Sequence, residues 1–355
     1  FMGNVGCGHG SCRMGAVGLP AEVICGRVDG VMVFWLKKLA PIVVVLAVAM
    51  WSVWPAVMNP AGVADWGSDG WFVNWVINTQ RKNTSDYIRS PSLDFGGLFQ
   101  GNIFYPNRNV LAYSELFTVS GLMAYFVGFL SKEPGIISGV IMVAGQVATM
   151  LVMYGFWNYL IKNRWTCALG TVAFGLSQIR WEYQVHLQMW GMQYLLMAIW
   201  LIVKWLKNGK NWMLYAGTIL LGLQAWESIL PVYFSMLILI IFLIFNFPFG
   251  KLRTAPFDFA QGRQFLKHLV LAGVIFGVIV WPVVGVYRQV ARENNFVRSI
   301  RDAANGGMSV SDLWGKFGSP GLYILLAVSL IRLAHNAPSD PPLKLRGGRK
   351  VELNV

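Results

Sequence analysis

Two carboxylates near the start of a long polar stretch are the clearest candidates for chemistry. Asp65 and Asp69 lie in the sequence Asp-Trp-Gly-Ser-Asp-Gly-Trp, where Gly67 and Gly70 permit a tight turn. A carboxylate held at such a turn can take a proton from an attacking hydroxyl group and so act as a general base. The alternative interpretation is that Asp69 caps the next helix, as aspartate often does.

A second polar cluster contains Arg180, Glu182 and His186 and lies between two apolar runs. Glu182 and His186 are four residues apart, so they would share one face of a helix. This spacing also suits two ligands of a metal ion, but two ligands alone do not define a metal site. A divalent metal ion therefore stays open as a cofactor. Arginine and aromatic residues also anchor the ends of membrane spans, which is the alternative interpretation.

Three further residues complete the set of candidates for substrate binding. Glu227 interrupts an apolar run, and an ionisable side chain near membrane depth needs a partner or a water-filled cavity. Arg180 or His186 is the expected partner, and a structural ion pair between helices is the alternative. Tyr105 lies in a turn-forming segment with proline and asparagines, and Glu115 enters a short apolar segment.

The composition indicates which elements must position these residues. Of the 355 residues, 55% are hydrophobic and only 13% are charged, which is too few charges to cover a soluble protein of this size. The apolar runs are longer than the strands of an outer-membrane barrel. We therefore expect an all-α fold, a polytopic bundle of about eight transmembrane helices. The net charge of +13 then marks cytoplasmic loops, and no nucleic acid partner is expected.

A membrane-spanning helix needs about 20 apolar residues, and a series of runs approaches this length. The segment at 116–130 is shorter and is expected not to cross. The basic residues after 160, 205 and 247 then share one side with Lys37 and Lys38, which the positive-inside rule assigns to the cytoplasm together with the N-terminus. The expected spans are 39–57, 135–160, 165–179, 189–205, 212–225, 229–247, 269–287 and 321–333.

The same topology divides the chain into regions. Residues 59–134 form an outer loop with interfacial helices, including one expected at 71–77, and residues 249–267 form a cytoplasmic loop. Residues 1–31 are rich in glycine and are expected to be a disordered leader. The membrane domain then covers 32–335, and the Pro-, Gly- and Lys/Arg-rich residues 336–355 form a disordered tail. We expect the chain to be a piece of a longer protein.

Several short motifs occur in an order that resembles one enzyme superfamily. They are Ser68-Asp69-Gly70-Trp71-Phe72, Ile103-Phe104-Tyr105-Pro106-Asn107, Leu111-Ala112-Tyr113-Ser114-Glu115, Lys162-Asn163-Arg164, Ala173-Phe174-Gly175-Leu176-Ser177, Arg180 and His186-Leu187-Gln188. Over residues 39–245 the chain resembles polytopic bacterial membrane glycosyltransferases of the GT-C superfamily. Gln178 departs from the pattern, because many relatives have proline after the serine.

The resemblance implies a GT-C-like fold in the bacterial inner membrane. It implies transfer of a sugar from a polyprenyl-phosphate donor to a glycan, lipid or protein acceptor of the cell envelope, on the extracytoplasmic face. Asp69 matches the essential acidic residue of the family, with Asp65 in reserve. The departing phosphate would be steadied by Arg180, by a protonated His186 or by a divalent metal ion.

Two other functions stay open at this point. A transporter or flippase for a lipid or glycan would be built from inverted repeats with broken helices at the membrane midplane. The two halves of the sequence show no convincing repeat, and the charged residues gather at one face. A non-catalytic fragment of a membrane protein is the third possibility, which the unusual loop at 249–267 and the tail favour.

Overall fold

The computed structural model describes residues 38–65, 67–92, 94–177, 180, 186–246 and 259–296, and these contain helices and no strand. Three short 3₁₀ helices lie in the polar stretch, at Pro60–Asp65, Gly96–Phe99 and Val110–Tyr113. The α-helices are α1 (Lys38–Ser52), α2 (Trp54–Met58), α3 (Ser68–Arg89), α4 (Thr118–Val127), α5 (Pro134–Leu160), α6 (Arg164–Gly175), α7 (Leu187–Trp190), α8 (Gln193–Asn208), α9 (Asn211–Glu227), α10 (Ile229–Asn246) and α11 (Phe259–Glu293).

The chain divides into two compact units, residues 1–176 with 180–298 and residues 177–179 with 299–355. All the helices named above belong to the first unit, and Ser177 is the one described residue of the second. The expected leader at 1–31, the expected span at 321–333 and the expected tail at 336–355 lie outside the described residues.

Within the described part of the chain, three helical segments are long and apolar enough to cross a membrane. They are Pro134–Leu160, Leu187–Asn208 and Gln264–Glu293. The protein is therefore all-helical in its described part, and its helices suit a membrane. A membrane span needs about 20 apolar residues, and only these three described segments meet that requirement. The expected number of about eight spans therefore stays a prediction.

Some predicted boundaries were wrong. The span expected at 165–179 is a helix of 12 residues that ends at Gly175, so it rises only about 18 Å. Instead of a short helix at 71–77, the polar stretch contains α3, which has 22 residues. The loop expected at 249–267 is shorter, because α11 begins at Phe259. The run at 39–57 is divided at Val53 into α1 and α2.

One end of the bundle, which we call the basic end, contains the starts of α1, α6 and α9, and Asn211 Nδ2 of α9 lies 2.9 Å from His268 Nε2 of α11 there. Arg164 Nη1 donates to the carbonyl oxygen of Lys38 at 3.5 Å. The ammonium group of Lys204 lies 5.3 Å from the ring centre of Tyr159, which ties the end of α8 to the end of α5. The connections between α5 and α6 and between α8 and α9 therefore lie on the same side of the molecule.

The opposite end, which we call the loop end, gathers the polar stretch at 59–133 and the ends of α9 and α11. The backbone N–H of Phe117 donates to the carbonyl oxygen of Glu227 at 2.8 Å. Tyr113 Oη donates to Asn294 Oδ1 at 3.2 Å. The apolar segment at 116–130 contributes only the 10 residues of α4, which rise about 15 Å and cannot cross a bilayer.

Two glycines of α5 allow the chain after α2 to pack directly on this helix. A Cβ atom at Gly139 would lie 2.5 Å from the carbonyl oxygen of Pro60, and one at Gly135 would lie 2.5 Å from that of Ala61. Real Cβ atoms do not approach oxygen so closely, so both positions require glycine. This contact places the 3₁₀ helix Pro60–Asp65, and with it the start of α3, against the first turns of α5.

We predict that Gly139→Ala lowers the stability of the protein. The added methyl group must push the backbone of Pro60 away, a type of overpacking that costs about 1–3 kcal/mol. Gly273→Ala in α11 is the matched control, because nothing lies within 4 Å of its Cβ position and alanine favours helix. Thermal unfolding in detergent micelles measures both variants. Equal midpoints for the two would contradict the proposed close contact.

Candidate functional site

Asp69 and His186, which are 117 positions apart in the sequence, lie side by side at the loop end. The distance from His186 Nε2 to Asp69 Oδ2 is 3.6 Å, and the side chains are 31% and 58% exposed respectively. Asp69 is in the first turn of α3, and His186 immediately precedes α7. The pair is reachable from solvent, and the imidazole can hold the carboxylate in one orientation.

A tight turn of the backbone presents Asp69. Gly67, the residue before α3, has φ of +82°, a left-handed value that residues with a side chain seldom adopt. The turn predicted from the glycines is therefore present. Asp69 lies in the first turn of α3, where backbone N–H groups point toward the helix start.

A small cavity lies next to the pair, between α3, α5 and α7. It measures about 10 Å³, room for about one water molecule, and Gly70, Ser138, Met142 and Leu187 contribute to its lining. Ser138 Oγ donates to Asn74 Oδ1 at 2.6 Å on one side of this cavity. The cavity is too small for a sugar, so a substrate must approach Asp69 from its exposed side.

Arg180 is a buried cation, with 2% of its surface exposed. Its Nη2 donates to Gln146 Oε1 at 2.5 Å, and its guanidinium carbon lies 5.1 Å from the ring centre of Trp190. Gln146, its hydrogen-bond partner, lies one turn of α5 after Met142, which lines the small cavity. Among the described residues no carboxylate forms an ion pair with Arg180.

Further polar side chains are buried among these helices, and the sequence analysis missed them. Gln146 Nε2 donates to Ser52 Oγ at 2.7 Å, and Thr149 Oγ1 donates to the carbonyl oxygen of Trp190 at 2.5 Å. Gln224 Oε1 accepts from the backbone N–H of Leu195 at 3.2 Å. A glutamine in the middle of an apolar helix of 27 residues was a usable signal, because polar groups at membrane depth are costly.

Glu227 binds a partner that differs from the expected one. Its carboxylate accepts hydrogen bonds from the backbone N–H of Ser120, at 2.8 Å, and from the hydroxyl group of Ser120. Ser120 is in the first turn of α4, so Glu227 caps that helix from the end of α9. The expectation of Arg180 or His186 as the partner of this carboxylate was wrong, since the described contacts give Ser120. Its predicted role in substrate binding stays a prediction.

Glu115 makes the reciprocal contact. Its Oε2 accepts from the backbone N–H of Ile229, the first residue of α10, at 3.1 Å, and only 6% of the residue is exposed. Burial, which disfavours the charged form, raises the pKa of Glu115 above its ordinary value. Glu115 thus caps α10 from the polar stretch, as Glu227 caps α4 from α9.

Among the remaining candidates, only Tyr105 has a described side chain. Tyr105 is 96% exposed in the turn before Pro106. Asp65 ends the 3₁₀ helix that precedes α3, and its side chain is not described, while Glu182 lies outside the described residues. No three His, Cys, Asp or Glu side chains come together among the residues described, so these alone do not form a metal site. A divalent metal ion stays a prediction.

We predict that Glu115→Gln weakens the pH dependence of stability. Because the pKa of Glu115 is raised in the folded state, this carboxyl favours folding at low pH, and stability is lost as pH rises from about 4.3 through the raised value. The glutamine still accepts from Ile229 and does not titrate. Unfolding midpoints in detergent between about pH 5 and pH 8 test this. Glu133→Gln, at an exposed position, is the control, and an unchanged pH profile for Glu115→Gln would contradict the prediction.

Comparison of the chain with protein families, with curated proteins and with solved structures finds no match. The site must therefore be interpreted from its own geometry.

Proposed function

We propose that this protein is a membrane glycosyltransferase that moves a sugar from a polyprenyl-phosphate donor to an acceptor of the cell envelope. The observation that supports it is the exposed pair of Asp69 and His186, 3.6 Å apart at the loop end. A carboxylate presented by a tight turn beside an imidazole is suited to removing a proton from a hydroxyl group. Because the surrounding motifs resemble those of the GT-C superfamily, we infer that this hydroxyl group belongs to the acceptor of a sugar.

In the proposed reaction the acceptor hydroxyl attacks the anomeric carbon of the donor sugar. A bond forms between the acceptor oxygen and that carbon, and the bond from the carbon to the phosphate oxygen breaks with its electron pair. Asp69 takes the hydroxyl proton, and His186 holds the carboxylate in place. The phosphate is already a good leaving group, so no general acid is needed. Arg180 is the buried cation that would attract the departing phosphate electrostatically.

The proposed topology places the loop end outside the cytoplasm of a bacterial-type inner membrane. Lys162, Lys204 and Lys207 lie at the basic end, where the positive-inside rule expects the cytoplasm. Because α4 is too short to cross, α1 and α5 would cross the membrane in opposite directions. The loops that carry the lysines then all fall on the cytoplasmic side, as this assignment requires. A lipid-linked donor would then meet Asp69 near the outer membrane surface. About eight spans in a GT-C-like arrangement are part of this proposal.

A transporter or flippase is the second candidate, and one observation favours it. The backbone N–H of Met192 donates to Thr149 Oγ1 at 3.1 Å, so α8 begins beside Thr149. Thr149 lies about 22 Å along α5, a helix of about 40 Å. Helices that begin or break at mid-depth are what transporters use to bind substrates. A non-catalytic fragment is the third candidate. Assays of sugar transfer and of donor-lipid movement separate the three.

We predict that Asp69→Asn lowers sugar transfer at least about a hundred-fold, because the amide cannot accept the proton. Asp86→Asn is the matched control, since Asp86 is an exposed carboxylate of the same helix. Membranes containing each variant are supplied with a radiolabelled polyprenyl-phosphate sugar, and label in the acceptor fraction is counted. Transfer by Asp69→Asn at the control rate would remove the glycosyltransferase. Movement of donor lipid across vesicles without transfer would favour the flippase.

We predict that cysteines at the two ends are labelled from opposite sides of the membrane. Asn208→Cys at the basic end should react with a membrane-impermeant maleimide only after cell disruption, whereas Asn107→Cys in the exposed loop should react in intact spheroplasts. Both positions are exposed. Labelling of Asn208→Cys in intact spheroplasts would overturn the topology. The native cysteines are first replaced by serine: Cys7, Cys12, Cys25 and Cys167.

A further inference from the structure

The last turns of α11 form a groove that the proposed reaction does not use. It is an open depression of about 430 Å³ along the helix surface. One face of the helix contributes its described lining, from Trp281 through Gly285 to Arg288 and Arg292. These positions recur every three or four residues, so they form one stripe along the helix.

The outer part of this groove is positively charged. Arg288 and Arg292 are exposed and one helical turn apart, so their charges repel each other unless an anion lies between them. Within the described residues no carboxylate forms an ion pair with either guanidinium group. Glu293 also lines the groove, where its Oε1 accepts from Gln289 Nε2 at 2.8 Å, so the two arginines exceed the one carboxylate in this part of the lining. Two arginine forks at this spacing suit the oxygens of a phosphate group.

The inner part of the groove is apolar. Trp281 is 68% exposed and lines the groove together with Val284, and no atom lies within 4 Å of a Cβ position at Gly285. Glycine at this position leaves space beside the indole ring. A hydrocarbon chain can therefore lie along the helix directly below the two arginines.

The length of α11 brings the charged part of the groove to the headgroup region of a bilayer. Its apolar segment, Gln264–Glu293, has 30 residues and rises about 45 Å, against about 30 Å for the hydrocarbon core. Tyr113 fixes the end of this helix to the loop end through its bond to Asn294. The arginines then lie where lipid phosphates lie, and the apolar part lies where lipid tails lie.

We propose that this groove binds the phosphate of an anionic membrane lipid, whose tail lies between Trp281 and Gly285. The site holds whether or not the protein transfers sugars. It differs from a simple interfacial anchor, in which arginines contact the headgroups of any lipid, because it requires both the paired charges and the open glycine. It also differs from a site for free phosphate, because part of its surface accepts only hydrocarbon.

The test measures lipid binding to the full chain in detergent by native mass spectrometry. Phosphatidylglycerol should be retained in preference to phosphatidylcholine. The double variant Arg288→Gln/Arg292→Gln should bind phosphatidylglycerol about thirty-fold more weakly, at about five-fold for each charge. Gly285→Leu keeps both charges and should also weaken binding, since its side chain fills the space for the tail. Arg108→Gln, an exposed loop arginine, is the control for loss of charge.

The outcomes separate the possible ligands. Unchanged binding in the double variant, an equal loss in Arg108→Gln, or equal retention of both lipids would overturn the site. Displacement of phosphatidylglycerol by excess inorganic phosphate alone would show a free-anion site and would also overturn it. Displacement by a polyprenyl phosphate, with phosphatidylglycerol bound in its absence, would support the site and identify a carrier lipid as a second source of the phosphate.

Discussion

Two buried carboxylates, exchanged between the segments 115–120 and 227–229, hold the loop end of this bundle together. Each helix start leaves backbone N–H groups without a partner, and inside a bundle no water is at hand to satisfy them. Glu227 supplies a hydrogen-bond acceptor at the start of α4, and Glu115 supplies one at the start of α10. A helix start that lost its carboxylate would leave buried donors unsatisfied, at a cost of about 1–3 kcal/mol each. The two chain segments are thereby fixed to each other.

The position of the candidate pair follows from this exchange. Once α4 is fixed on α9, its Gly121 packs against Gln80 of α3, where a Cβ atom would lie 2.5 Å from the glutamine side chain. From there α3 extends along the first turns of α5, and the bond between Ser138 and Asn74 holds it there. The start of α3 is then close to the segment before α7. Asp69 therefore lies beside His186 because of contacts between helices at positions far from both residues.

The sequence was most informative where one chain segment decides its own structure. The run expected at 135–160 is α5, which begins one residue earlier and ends at the same residue, because a long apolar helix of this kind needs no partner to be recognised. The turn at Gly67 was also predictable, since glycine and aspartate signal it locally. The partner of Glu227 was not, because the Ser120 that it caps is 107 residues away. The early end of α6 at Gly175 had a local signal, because Ser177 and Gln178 interrupt the apolar residues there. The expected span extended past it only by counting Leu176 and Ile179 as a continuation.

The unequal lengths of the helices have a consequence for the surrounding lipid. α5 has 27 residues, whereas α9 has 17 and rises about 25 Å, which is less than the usual thickness of the hydrocarbon layer. In the proposed topology α9 also crosses the membrane, and its exposed Trp212, Ile219 and Leu223 would then contact acyl chains. A bilayer adapts to a short helix by becoming thinner beside it. We therefore expect a local depression of the membrane on the α9 side, in which headgroups lie deeper than they do around α5.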